Sequence, residues 1–149
     1  MPDTPPLPGT PGAIDTEVAV PSPGPASAPT PRRLCDVHAL GGADPATAGA
    51  VWKLTESGRQ LDANLVHLPA HHCVETHAEP DLDVLLLVVA GHGNLGTSDR
   101  TEPLTGGALF WLPHGSTRRI TARADGLSYL TVHRRRPGMQ IRSRPATDI

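Results

Sequence analysis

The sequence has little of what several large classes of protein need. Among its 149 residues there are two cysteines, two Trp, one Tyr and one Phe, and a single lysine, Lys53. Two cysteines, Cys35 and Cys73, cannot build a disulfide framework; they read as two small buried or half-buried thiols, with one bridge as the alternative. With aromatics at 3%, the core must come from Leu, Val, Ile and Ala. A net charge of −2 excludes bulk attraction to nucleic acid or a membrane surface. The longest apolar run, Val84 to Ala90, is far too short to cross a bilayer and reads as a buried strand. The opening MPDTPPLPGTPG has neither a positive start nor an apolar stretch, so no secretory leader is expected and the cytoplasm is the expected location.

Proline, by contrast, is plentiful and concentrated. Residues 1–31 carry Pro2, Pro5, Pro6, Pro8, Pro11, Pro21, Pro23, Pro25, Pro29 and Pro31, with Gly, Ser, Thr and Ala between them. Such a segment buries too little apolar surface to offset its ordering entropy, so a disordered tail is expected; without a repeat or basic anchor it reads as passive, not as a polyproline ligand. At the other end, 139–149 reads as a basic tail, a solvated terminus lacking the interleaved aromatics of a nucleic-acid footprint.

Between them, 32–138 alternates short apolar segments with Gly, Pro and Asp breakers. The expected strands are Arg33–His38, Ala50–Leu54, Leu61–Leu68, Cys73–Glu79, Asp83–Ala90, His92–Gly96, Ala108–Leu112, Thr117–Ala122 and Leu127–Arg134. Asp125-Gly126, between two alternating runs, predicts a hairpin, and Gly91-His92-Gly93 predicts another turn. Only Asp44–Val51 has the makings of a helical turn, with Pro45 near its start. The fold class is therefore all-β, an antiparallel barrel or sandwich. Trp52 and Trp111 read as core.

The chemistry concentrates in two places. Residues two apart on a strand share a face, so His77 and Glu79 project together; Pro80 ends that pairing, and the turn that follows can bring Asp83 near them. An imidazole and two carboxylates suit iron, manganese, nickel or zinc. Further on, Arg118, Ile120 and Ala122 share one face, while Arg119, Thr121 and Arg123 share the other, plainly solvent-facing one. Arg118 is thereby forced inward, and a buried guanidinium needs carboxylate partners or a bound anion. Glu79 and Asp83 are the candidate partners. His92 and His114 read as exposed turn residues; His67, His72 and His133 lie on strands of ambiguous facing.

From about Leu61 to His133 the chain resembles the cupin family, whose two motifs are G-x5-H-x-H-x3,4-E-x6-G and G-x5-P-x-G-x2-H-x3-N. His77 fits the first histidine and Gly91 the closing glycine. His71 stands at the opening glycine, a substitution histidine can make because it tolerates positive φ better than most residues. Glu79 replaces the second histidine, and Asp83 stands for the glutamate at the shorter gap, with Val84 the alternative match. In the second motif Gly107, Pro113 and Gly115 fit, Arg118 replaces the ligand histidine and Ala122 the asparagine. The resemblance implies a single cupin-like antiparallel β-barrel or jelly roll and a homodimer formed by sheet packing or strand exchange.

Three readings of the cluster stand side by side. It is a structural ion-pair group; or a floor on which Arg118, with His77, Glu79 and Asp83, holds a small, anionic molecule; or a divalent metal site on His77, Glu79 and Asp83. The second makes the protein a non-enzymatic binding or sensor cupin, the third a metal-dependent oxygenase or isomerase. A small-molecule partner is expected in either case, with no nucleic acid and no membrane.

Overall fold

The computed structural model describes Gly9 and residues 28–41 and 46–136. The expected tails fall almost wholly outside the described residues, as does the start of the Asp44–Val51 turn. Among the described residues seven strands follow one short helix: α1 Val37–Gly41, β1 Gly49–Lys53, β2 Leu61–Leu68, β3 Cys73–Ala78, β4 Val84–Thr97, β5 Thr101–Thr105, β6 Leu109–Leu112 and β7 Thr117–Arg134. Every pairing is antiparallel.

Two strands organise the rest. β4 and β7 pair with each other from Leu85↔Val132 to Thr97↔Arg118. The first half of β4 and the last half of β7 form one layer with β1, β2 and β6. The last half of β4 and the first half of β7 form a second layer with β3 and β5. Side chains from both layers meet in one core: Leu86, Val88 and Tyr129 from the first, Leu95, Ile120 and Ala122 from the second. Leu86 and Leu95 are 0% and 2% exposed, and each such buried side chain contributes about 1.5–3 kcal/mol of transfer free energy.

The strands pass from one layer to the other through glycine. Gly91↔Leu127 and Gly93↔Ala122 are successive pairs, so Arg123–Gly126 bulge out of β7 opposite a single residue of β4. Gly91 and Gly126 both have positive φ, 77° and 74°. The expected Asp125-Gly126 and Gly91-His92-Gly93 turns are thus not hairpins: each lies inside a continuous, bent strand. His92 accordingly reaches across to Asp125, Nδ1 to Oδ2 at 2.5 Å.

Three further expectations are corrected. Arg33–His38 forms no strand, because the Asp36 carboxylate accepts from the amides of His38 and Ala39 (3.0 and 3.3 Å) and starts a helix. β5 was not expected; it carries Pro103 and pairs only with β4, the edge position in which proline is tolerated. Trp111 is 66% exposed, not core. It lies opposite Leu85 on the outer face of the first layer, beside exposed Leu109, while its neighbours Phe110 and Leu112 pack inward. Cys35 and Cys73 are free thiols, both half-buried. Among the described residues no helix is long and apolar enough to cross a membrane.

Candidate functional site

The two sequence motifs are stitched together by their loops. After β3, the Glu79 carbonyl accepts from the Gly115 amide at 2.7 Å. Asp83 Oδ1 accepts from both the amide and Nδ1 of His114, each at 2.8 Å. The Pro113-His-Gly115 turn is therefore held by the segment that leads from β3 into β4, and Thr117 starts β7 in a fixed register against Ala78. His71, at the opening of β3, has φ 64°, the only non-glycine positive φ among the described residues.

That register places Arg118 directly opposite His77, and opposite residues of an antiparallel pair stand side by side on one face. Both line a cavity of about 210 Å³ between the layers, together with Glu79, Tyr129, Thr131 and His133. The apolar part of its wall is Val74, Val84, Leu86, Leu112 and Ile120. Arg118 also borders a second, larger groove of about 560 Å³ beside Phe110 and Trp111.

Arg118 is 5% exposed, and its Nη1 is buried without a hydrogen-bond partner among the described residues. Burial pulls the guanidinium below its usual pKa, opposed by the charge of Glu79. Glu79 is not its ion-pair partner, however. The Glu79 carboxylate, 13% exposed, bonds the Arg136 guanidinium, which reaches the cavity from just beyond β7. For Glu79 burial is the largest single influence and pushes its pKa up; the Asp81 amide, Arg136 and Arg118 together outweigh it, and the net shift is downward.

Of the four residues singled out from sequence, then, three line the cavity: Arg118, His77 and Glu79. Asp83 does not. It serves the loop, bonded to His114 and with its side chain 53% exposed. Among the described residues no three His, Cys, Asp or Glu side chains converge where an ion could be held. The expected set of His77, Glu79 and Asp83 is thus not assembled as a metal site, and a cation stands beside His77 where a last ligand would be needed. The donors do not fit a metal. Tyr129, Thr131 and Arg136 were missed, and His133, left as a histidine of ambiguous facing, lines the cavity; the alternation of Tyr129, Thr131 and His133 along β7 was the available signal.

The carboxylates make the protein's acid sensitivity predictable. Asp83 is held below its usual pKa first by the His114 amide and ring, Asp62 first by Arg59 and Asp125 first by His92. Groups depressed in the folded state stabilise it fully above their unfolded values, 3.8 for Asp and 4.5 for Glu. That contribution is lost as pH falls through the lower folded values. The melting temperature is expected to drop as pH is taken below about 4, with a shallower drop in Asp83→Asn, which keeps an acceptor for the His114 amide but has no charge to titrate. Thermal melts at stepped pH check this; a melting temperature that climbs with acid would contradict it.

No protein-family model and no curated protein matches the chain. Solved structures do. A protein of Bacillus halodurans superposes with a TM-score of 0.58 at 16% identity, covering 76% of this chain and 88% of that one. A cupin domain from Schizosaccharomyces pombe gives 0.51 at 14%, covering 57% and 63%. A cupin 2 conserved barrel domain protein from Salinispora arenicola gives 0.50 at 13%, covering 55% and 71%.

Proposed function

We propose that this chain, which has the cupin fold, is a binding protein for a small anionic molecule held in the cavity between its two layers. The observation that carries the reading is Arg118, 5% exposed, with Nη1 buried and unpartnered among the described residues. Leaving a donor of a charged group unmade in the interior costs more than the about 1–3 kcal/mol of a neutral one. A carboxylate or similar anion supplies both the missing acceptor and the missing charge, in the bidentate geometry that suits guanidinium.

Two supports come from the neighbours. Glu79 is already neutralised by Arg136, so the positive charge of Arg118 is left for a ligand. Asp83, the other carboxylate within sequence reach, is turned away to His114. Thermal unfolding in the presence of sodium carboxylates, phosphate and sulfonates tests the reading. A bound anion at a hundredfold excess over its Kd adds about 2.7 kcal/mol of stability, and Arg118→Met is expected to lose that response entirely. Wild-type protein indifferent to every anion, or an Arg118→Met variant that responds as wild type does, would sink the proposal.

A further inference from the structure

The histidines of the cavity narrow the ligand. His77 Nδ1 lies 2.9 Å from the Glu75 carbonyl oxygen, and His133 Nδ1 lies 2.7 Å from the Arg134 carbonyl oxygen. A carbonyl oxygen only accepts, so both rings carry their proton on Nδ1 and, when neutral, offer Nε2 as an acceptor. His77 is exposed and water can satisfy it. His133 is half-buried and lines the cavity, so its acceptor is available to a donor there. A ligand that brings an O–H or N–H as well as a negative charge uses both Arg118 and His133.

Charge and size limit it further. The charged side chains lining the cavity are Arg118, Arg136 and Glu79. Arg136 and Glu79 cancel each other, so one positive charge remains and matches a monoanion. Much of the remaining wall is Val74, Val84, Leu86, Leu112 and Ile120, none of which can replace the hydration of a second carboxylate. The cavity volume is about 210 Å³. That is well under the ~300 Å³ at which drug-sized pockets begin.

Resting on the anion-binding reading above, we propose that the ligand is a short hydroxy-monocarboxylate. Its carboxylate sits on the Arg118 guanidinium, its hydroxyl donates to His133 Nε2, and its short carbon chain lies against the apolar wall. No covalent step is involved.

Calorimetric titration of the full chain tests it with five probes: 2-hydroxybutyrate, butyrate, malate, inorganic phosphate and 1,2-butanediol. 2-Hydroxybutyrate is expected to bind about tenfold more tightly than butyrate, the worth of one hydrogen bond. The uncharged diol should give no heat at the same concentration. His133→Phe is expected to bring 2-hydroxybutyrate down to the level at which the same variant binds butyrate. Equal binding of butyrate and 2-hydroxybutyrate to wild type, or malate or phosphate binding as tightly, overturns the hydroxy-monocarboxylate and leaves the anion site standing. Silence from all four anions overturns both. The wild-type comparison decides the matter even where His133→Phe does not fold.

Discussion

Arg118→Met will melt at a higher temperature than the wild-type protein when no ligand is present. Arg118 is 5% exposed and its Nη1 has no partner among the described residues, so the folded state carries a desolvated cation with incomplete compensation. Methionine keeps the unbranched stem, removes the charge and fits the apolar neighbours Leu112, Ile120 and Leu86 that line the same cavity. Replacement of buried ionic groups by apolar ones of similar volume has stabilised proteins by about 1–4 kcal/mol. For a domain of this size each kcal/mol is worth roughly 4–8 °C. Glu79 is not orphaned by the change, because Arg136 remains bonded to it. Urea titrations at an unchanged m-value give the free-energy difference directly. A variant less stable than wild type would mean that the guanidinium is compensated within the folded chain and needs no anion. Higher stability combined with loss of the anion response would mark Arg118 as a residue kept at a cost in stability for the sake of binding.

Arg118 is also where sequence reasoning reached furthest. The two-residue period puts Arg118, Ile120 and Ala122 on one face, and all three are buried. β2 was legible for the same reason: Leu61–Leu68 alternates between proline and glycine breakers, and the strand has those bounds. Legibility failed where a local signal has two tertiary outcomes. An Asp-Gly pair between alternating runs reads as a hairpin, but here it is a bulge, because β7 continues past it against the same partner, β4. Nothing within a few residues of Asp125 distinguishes the two. Asp83 failed in a related way. Its sequence distance from Glu79 permitted a shared site, yet the His114 amide and ring, 31 positions away, hold it elsewhere. Periodicity reports which face a side chain takes; it cannot report which distant loop competes for it.

The glycine crossing carries the second large effect. A Cβ on Gly91 would stand 2.1 Å from the Gly126 carbonyl oxygen and 2.8 Å from its carbon. Those are backbone atoms, so no side-chain rotation relieves the clash, and the positive φ of 77° adds strain of its own. Gly91→Ala is expected to cost roughly 3 kcal/mol or more, above the usual 1–3 for overpacking because β4 and β7 must separate where each passes between layers. Gly107→Ala is the matched control. It too has positive φ, 89°, but a Cβ there meets nothing within 4 Å, so it should lose only about 1 kcal/mol of backbone preference. Chemical denaturation of the two variants separates close approach from dihedral strain. Equal losses at both positions would mean that backbone conformation alone fixes glycine at 91. A much larger loss at Gly91 would establish that the bend depends on backbones touching. The same crossing joins the half of β7 that carries Arg118 to the half that carries Tyr129, Thr131 and His133. The clash at Gly91 therefore acts on the cavity as well as the fold: forcing the crossing apart shifts Arg118 relative to His133, and if the proposed anion binds there, Gly91→Ala should lose ligand response even under conditions where it remains folded.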